Sequence, residues 1–434
     1  MKTFTIKNFG CRASQADGAA IAGQLADCGL APAPAGPADL VVLNSCTVTA
    51  AADQDLEKAV RRAKRENPGT QILVTGCYAQ RDPEHLAGIA GVTWVVGNSH
   101  KDRIGEILAV PLPEASYHAQ IHLSDIFERR EFFSAPIDES GEDRARPNLK
   151  IQDGCNNRCS FCIIPSVRGA SRSASADWVL AQVRSLAERY AEIVLTGVNL
   201  GRWGREAGGG RQLVQLLERV LDETAVRRLR LSSIEPMDWT DELMELMAGS
   251  DRIARHVHAP LQSGSDGVLR RMFRKYRPRH YRDRILRAHQ LMPDAAFGAD
   301  VMTGFPGETD AEFDESFAFI ESLPFTYLHV FTYSERPGTR AAESDARVPW
   351  EVRKERTRRL RELSEQQGRA FRQRMLGRKL SVVTQGGRRA MSSNFLTVDL
   401  GGEHAAQQLR QITVHGFDEA GVMTVLPVLS GLTV

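Results

Sequence analysis

Cys155, Cys159 and Cys162 stand at C-x3-C-x2-C spacing, on a predicted loop after the apolar residues Leu149 and Ile151. Thiolates this close in sequence can share one metal centre, and soft sulfur ligands select zinc or iron–sulfur. Structural zinc takes four protein ligands. Yet no cysteine follows Cys162, and no histidine lies between His122 and His256. Three thiolates on a four-iron cubane leave one iron without a protein ligand. That open corner is a defect in an electron carrier and a working position in an enzyme that binds a small molecule at iron. The alternative is a zinc loop completed by a distant histidine.

At 434 residues the chain exceeds one ordinary core, and two or three domains are expected. Lys plus Arg number 56 against 54 Asp plus Glu, a formal net charge of +2. A polyanionic partner must therefore meet local basic patches, because the field of the whole molecule is weak. The opening Met-Lys-Thr-Phe-Thr-Ile-Lys alternates like a strand and lacks the apolar core of a secretory signal. No run reaches the length of a membrane span. The expectation is a cytoplasmic chain with reduced thiols, where clustered cysteines point to metal or catalysis before disulfides.

The first hundred residues alternate strand and helix, the pattern of a parallel α/β sheet. Strands are predicted at 4–9, 40–43, 71–74 and 92–96, with a helix at 51–66 and a Pro-rich turn at 32–37. Cys11, Cys46 and Cys77 each follow the carboxyl end of a strand within two or three residues. Open parallel sheets bind ligands along that rim, so three thiols there suggest a second cluster. The alternative is simple burial, common for cysteine. Burial alone would scatter the thiols, as Cys28 illustrates at the end of the first helix, and Cys28 is read as structural.

A polar linker at 138–147 precedes six further strand candidates at 149–152, 193–196, 228–232, 256–259, 296–302 and 327–332. Six βα units in series predict a parallel sheet curled into a partial barrel, with its site at the strand carboxyl ends. A helical pattern follows at 352–375. Short alternating strands at 380–384, 395–400, 411–415 and 422–425, with Gly-rich turns, predict a small β-barrel. The expected division is an α/β domain over 1–137, a partial (β/α)6 barrel over 138–375 and an all-β barrel over 376–434.

Over nearly its whole length the chain resembles the methylthiotransferase family of radical S-adenosylmethionine enzymes. The motifs are Phe-Gly-Cys11, Asn-Ser-Cys46, Thr-Gly-Cys77-Tyr-Ala-Gln, and the Cys155 loop running through Pro165 to Arg168-Gly-Ala-Ser-Arg172-Ser173. Leu-Gln262-Ser-Gly264-Ser, Gly304-Phe-Pro-Gly307-Glu-Thr and Tyr333-Ser-Glu-Arg-Pro-Gly338-Thr complete the set. The branch acting on N6-threonylcarbamoyladenosine beside the tRNA anticodon is matched by Arg168 to Ser173 and by Cys11-Arg-Ala-Ser-Gln15. Ser14, where asparagine is usual, and the weakly acidic Ala16-Asp17-Gly18 depart from that branch. The resemblance implies two [4Fe-4S] clusters, one on Cys155, Cys159 and Cys162 that chelates S-adenosylmethionine, the other on Cys11, Cys46 and Cys77. It further implies a 5′-deoxyadenosyl radical that takes hydrogen from adenine C2, where sulfur is inserted. A reducing donor such as flavodoxin or ferredoxin, a tRNA partner and a carboxy-terminal TRAM domain are also implied. Rival substrates are N6-isopentenyladenosine in tRNA and an aspartate of a ribosomal protein. An iron–sulfur protein that only binds RNA or carries electrons is the rival of another class.

The resemblance places Phe161 near the adenine of S-adenosylmethionine. Thr196, Gly197 and Asn199 end the second barrel strand and are expected to hold the cofactor's amino group; an ordinary strand-to-loop turn is the alternative. Ser232 and Glu235 follow the third strand and Gln262 the fourth, as ribose contacts or helix caps. Gly304 is expected in a turn on the adenine side, since it lacks the lysine and spacing of a phosphate loop. His256 and His258 share one strand face and are read as packed or hydrogen-bonded, outside any metal set. Arg270 to Arg287 forms a basic run, of which Lys275 and Arg279 are candidate RNA contacts. A solvated face is the alternative. Arg388, Arg389 and Phe395 add a predicted RNA surface on the terminal barrel. Arg168 and Arg172 are expected to meet the cofactor carboxylate or the target nucleotide.

Overall fold

The computed structural model describes residues 1–34, 36–111, 119–133, 145–208 and 212–425. Most of the predicted linker, and the expected boundary at 137/138, lie outside them.

The chain opens with a six-stranded parallel sheet in the order β2-β1-β3-β4-β5-β6. Its strands are β1 (Thr3–Asn8), β2 (Ala31–Pro32), β3 (Leu40–Ser45), β4 (Gln71–Gly76), β5 (Trp94–Gly97) and β6 (Gln120–His122). Every residue of β3 is buried, as expected of a parallel strand covered on both faces. On one face Phe4, Val42 and Trp94 pack with Ile21 and Leu25 of α1 (Arg12–Asp27) and Ile104 of α5 (Ile104–Ala109). On the other, Val41 and Val74 pack with α2 (Ala50–Glu66), α3 (Cys77–Arg81) and α4 (Pro83–Ala87) through Leu56, Val60, Tyr78 and Leu86. The edge strands β2 and β6 are two and three residues long and were not predicted; such short edges carry too few residues for alternation to show.

The six central strands form as predicted: β7 (Asn148–Asp153), β9 (Ile193–Gly197), β10 (Leu229–Leu231), β11 (His256–His258), β12 (Ala296–Thr303) and β13 (Tyr327–Thr332). They fall into two sheets, β10-β9-β7-β8 and β11-β12-β13, where β8 is the short antiparallel Arg172–Ser173. A single parallel bridge, Leu229 to Ile253, lies between β10 and β11. Between and after the strands run α6 (Ile164–Arg168), α7 (Ala176–Ala187), α8 (Gln212–Glu223), α9 (Asp241–Gly249), α10 (Asp266–Arg271), α11 (Pro278–Leu291), α12 (Asp310–Glu321) and α13 (Trp350–Met375). One set of strand residues, including Leu149, Ile151, Leu195, Leu231, Val257, Phe297, Val301 and Val330, joins these helices in one apolar core. Strand alternation turns the other set, Lys150, Gln152, Thr196, Arg230, His258, Asp300 and His329, toward the barrel interior. The core is apolar outside the barrel and the interior is charged.

The last strands are β14 (Lys379–Thr384), β15 (Gly387–Ser392), β16 (Thr397–His404), β17 (Leu409–Thr413), β18 (Gly416–Phe417) and β19 (Met423–Thr424). They form one sheet in the order β17-β14-β15-β16-β19-β18 around Leu380, Val382, Val398 and Met423, closed below by Phe371 and Met375 of α13. Arg228 donates to the carbonyls of Ser381 and Met391, and Arg230 to those of Ser392 and Ser393. Both arginines also grip Glu192, so the sheet is fastened to the barrel floor.

A second ionic fastening joins α1 to the barrel. Asp17 accepts from Lys101 at 2.9 Å, from Arg168 at 2.9 Å and from Lys150. Asp153 accepts from Lys150 at 2.9 Å and Arg168 at 2.8 Å. All five side chains are buried. Burial works against the Asp17 carboxylate, but Lys101, Lys150 and Arg168 outweigh it and hold the group well below the usual range. Asp153 is depressed in the same way by Arg168, Lys150 and Arg172. Groups depressed on folding stabilise above the unfolded carboxylate value of about 3.9 and lose that contribution as pH falls toward the folded value. Stability to urea is therefore expected to decline below about pH 4. Asp17→Asn leaves Lys101 buried without its carboxylate, at a cost of about 3–5 kcal/mol at pH 7, and flattens that acid decline. Urea unfolding across pH checks both.

Candidate active site

The Cys155 loop leaves β7 through Gly154, whose φ of 70° and closeness to the Ala170 carbonyl, 2.0 Å from any added Cβ, exclude other residues. Backbone bonds then pin it: Cys155 N–H to the Gly169 carbonyl at 3.1 Å and Ser160 N–H to Met272 at 3.1 Å. The Ser160 hydroxyl adds a bond to Arg271 at 2.7 Å. Phe161 packs against the buried cluster of Val268, Met272, Phe305, Tyr333 and Ala341. Burial first, then Cys159 and Cys155, push the Cys162 thiol up to about 12. Thiols grouped this closely lose their protons on binding a cationic metal.

Of the predicted contacts, Asn199 reaches this loop directly and Glu235 reaches it through Arg274. Asn199 points Nδ2 at Cys155 Sγ, 3.8 Å away, while its N–H donates to Gln152 at 2.7 Å. Asn199 Oδ1 and Ser232 Oγ are buried without a partner, which a bound polar ligand would supply. Thr196 is buried at the end of β9, and an added Cβ on Gly197 would sit 3.0 Å from Gln152. Gln262 holds a left-handed φ of 66° after β11. Glu235 accepts from Arg274 at 2.5 Å, and Arg274 donates its other terminal nitrogen to Cys159 Sγ at 3.2 Å. Arg274 was read only as part of the basic run. The signal that separates it is burial alternating through Met272, Arg274 and Tyr276, with exposed neighbours between. Gly304 owes its glycine to packing: a Cβ there would fall 2.3 Å from the Arg353 chain, and its N–H is held by Glu308 at 2.7 Å. Its neighbour Phe305 reaches the apolar cluster that holds Phe161.

Cys11, Cys46 and Cys77 lie at the carboxyl ends of β1, β3 and β4. The Cys46 thiol is pushed up to about 12 by burial first, then by Cys77, with Cys11 adding to it. Gly10 leaves room for Cys46, whose Sγ would lie 3.1 Å from an added Cβ. Asn98 reaches Cys77 Sγ at 3.6 Å and the Val167 carbonyl at 2.7 Å. Cys77 packs on Ile163 and Val167, directly after the Cys155 loop, so the two triads flank one domain contact. Arg336 draws the loop after β13 onto the Cys46 side, donating to Asp53 at 2.7 Å and to the Thr47 carbonyl. Cys28 ends α1, a helix length of about 24 Å from Cys11.

Zinc bonds of about 2.3 Å would draw four sulfurs to within about 4 Å of one another. Among the described residues, the group whose ligating atoms all lie within 4.8 Å is His258, Asp300 and His329, and neither cysteine triad is that tight. Neither triad is held at zinc spacing, and three soft sulfur donors per group are the set that an iron–sulfur cluster would take. The histidines serve a hydrogen-bond network: Tyr327 OH bridges His256 at 2.7 Å and His258 at 2.9 Å, and Asp300 meets His258 and His329.

Arg168 and Arg172 correct the sequence reading. Both are buried. Arg168 is spent on Asp17 and Asp153, and Arg172 donates to the carbonyls of Ala170 and Arg168, so neither presents a free face to a nucleotide. Phe395 is likewise occupied, stacked on His256 with ring centroids 4.4 Å apart. Lys275, Arg279, Arg388 and Arg389 are exposed, with Arg388 paired to Asp399 at 3.0 Å. Acids from other elements neutralise much of the basic run: Glu312 pairs with Arg271, Asp266 with Arg277, and Asp241 with Arg284 and Arg287. Between the start of α1 and the first residues of β7 and β9, a pocket of about 490 Å³, open to solvent, is lined by Arg12, Gln15, Arg146, Asn148, Val194 and Gln385. Burial, Arg146 and Arg230 pull the Arg12 guanidinium down to about 10.

Residues 149–320 match the Radical SAM superfamily, and residues 3–97 match uncharacterized protein family UPF0004. The threonylcarbamoyladenosine tRNA methylthiotransferase MtaB of Bacillus subtilis (strain 168) is 39% identical over 80% of this chain and 77% of its own. Its namesake in Aquifex aeolicus (strain VF5) is 34% identical over 87% and 91%. A tRNA-2-methylthio-N(6)-dimethylallyladenosine synthase of Parafrankia sp. (strain EAN1pec) is 36% identical over 89% and 78%. The solved radical S-adenosylmethionine methyltransferase TsrM of Kitasatospora setae shares the fold at a TM-score of 0.55 and 15% identity, covering 79% of this chain and 77% of that one. With an iron–sulfur donor set after the first barrel strand and relatives of this identity along most of both chains, the protein belongs to the methylthiotransferase family of radical S-adenosylmethionine enzymes.

Proposed function

We propose that this enzyme adds a methylthio group to C2 of N6-threonylcarbamoyladenosine in tRNA, using two [4Fe-4S] clusters and S-adenosylmethionine. The observation that carries the reading is the placement of two cysteine triads on either side of one domain contact, with Cys77 packed on Ile163 and Val167. When bound, the clusters and S-adenosylmethionine supply radical hydrogen abstraction and the sulfur that is transferred. The chain's own residues bind and orient. Asn199 and Ser232 offer unpaired polar atoms to the cofactor, and Phe161, on the cysteine loop itself, offers a ring. Thr196, Gly197, Glu235, Gln262 and Gly304 end the strands or build the turns that frame this space. The interior between α1 and the barrel strands takes the target nucleoside, since a base must leave its stack to meet a buried reagent. Lys275, Arg279 and Arg389 give exposed cations for tRNA phosphates. The relatives named for threonylcarbamoyladenosine support this substrate; relatives named for dimethylallyladenosine favour a second reading, that adenosine carrying an N6-dimethylallyl group.

Anaerobically reconstituted protein is expected to hold about eight irons per chain, falling to about four when Cys11, Cys46 and Cys77 are replaced by Ala. That variant should still cleave S-adenosylmethionine and form no methylthio product. Nucleoside mass spectrometry of tRNA from a deletion strain should show loss of the methylthio form of threonylcarbamoyladenosine; loss of the dimethylallyl derivative selects the second reading. Arg274→Met removes a donor from Cys159 Sγ. The midpoint potential of the neighbouring cluster should then shift negative by on the order of tens of millivolts in an EPR-monitored titration. Lys275→Glu with Arg279→Glu should weaken tRNA binding and reduce the slope of log K against log salt by about two; an unchanged slope makes both residues plain solvent-facing charge.

A further inference from the structure

Arg12 follows the cluster ligand Cys11 and lines the open pocket of about 490 Å³ together with Arg146, Gln15, Asn148 and Val194. The volume suits a nucleoside-sized ligand. Arg12 is partly buried and makes no hydrogen bond or ion pair among the described residues. Among the described residues, the acid that attracts it, Glu192, is committed elsewhere. Glu192 accepts from Arg146 at 3.2 Å, Arg228 at 2.5 Å and Arg230 at 2.7 Å. Arg146 and Arg230 both repel Arg12. Gln15 and Asn148 bond to each other at 3.1 Å, a neutral polar wall. A half-buried guanidinium with Arg146 and Arg230 beside it, and no ion pair among the described residues, gains from an arriving anion.

We propose that Arg12, with Arg146 beside it, binds the carboxylate of the threonylcarbamoyl group on the substrate adenosine and thereby selects an anionic N6 substituent over a neutral alkyl one. The proposal rests on the substrate reading above. A dimethylallyl group brings no acceptor and leaves the guanidinium unpaired, and a site built to pair a polar group rejects analogues that lack it. Backbone phosphates are common to every tRNA, so a phosphate contact here would give no such preference.

The test compares anticodon stem–loops that differ only at the target adenosine: threonylcarbamoyl, dimethylallyl or unmodified. Affinities are read by fluorescence anisotropy on anaerobically reconstituted protein. Wild-type protein is expected to favour the threonylcarbamoyl loop over the unmodified one by about tenfold or more. Arg12→Gln should erase that preference while keeping affinity for the unmodified loop within about twofold, and Arg12→Lys should keep part of it. Iron content and thermal unfolding of each variant report on its fold. Methyl esterification of the substrate carboxylate reads the same contact on unaltered protein and should cost as much as Arg12→Gln. If Arg12→Gln keeps the full preference, or the ester binds as well as the acid, the proposal is overturned. Equal loss for all three loops also overturns it and makes Arg12 a phosphate contact. If wild-type protein prefers the dimethylallyl loop, the substrate reading itself falls, an outcome distinct from failure of Arg12.

Discussion

Two carboxylates and three cations buried between α1 and β7 hold the molecule in its working arrangement. Burying Asp17, Lys101, Lys150, Asp153 and Arg168 together is expensive, because each loses its hydration and is repaid only by partners in good geometry. A non-specific apolar contact would tolerate sliding; this one loses its compensation as soon as the helix shifts against the strand. Asp17 lies six residues along α1 from Cys11, a rise of about 9 Å, and Asp153 lies two residues before Cys155. The ion cluster therefore fixes the separation of the two cysteine triads through the shortest stretches of chain available. Thr47, Arg81 and Arg336 converge on Asp53 in the same spirit, tying the Cys46 loop to the segment after β13.

The barrel inverts the usual arrangement of polarity. Its apolar core lies between strands and outer helices, whereas its interior carries Lys150, Arg230, His258, Asp300 and His329. Such an interior cannot collapse on itself without stranding charges, so it stays open enough to admit a polar ligand. Glu192 shows the limit of internal balance: one carboxylate serves three guanidiniums, and a positive surplus is left over. The surplus sits at the barrel floor, where Arg228 and Arg230 also fasten the last sheet.

Much of this was legible in the sequence because it depends on short-range pattern. The six barrel strands show as alternating or apolar runs, and the cysteines stand at strand ends whatever the strand order. What pattern could not show depends on partners far along the chain. Arg168 meets Asp17 across 151 residues, so the ion pairs that occupy this conspicuous arginine could not be read from its neighbours in sequence. The basic run looked unopposed because Glu312 and Asp241 come from other elements. Phe395 looked available for stacking until His256 covered it. β15 was missed because Gly387-Arg-Arg opens it with exposed residues, which hides its buried end.

One buried guanidinium accompanies each cysteine triad, and the pairing has a common logic. Arg274 donates to Cys159 while Glu235 holds its other nitrogen. Arg168 feels Cys77 and Cys11 while Asp153 and Asp17 hold it. In each case a carboxylate fixes the arginine, so the cation stays in place whether or not the thiolates are occupied. A cluster held by three thiolates in a low-dielectric site is anionic and becomes more so on reduction; a cation already oriented there lowers the cost without any rearrangement. The carboxylates also prevent the reverse problem, an unpaired buried cation in the empty protein. The site is thus charged in advance for an anion it does not itself contain. The same reasoning marks Arg12 as the exception, since no carboxylate among the described residues holds it.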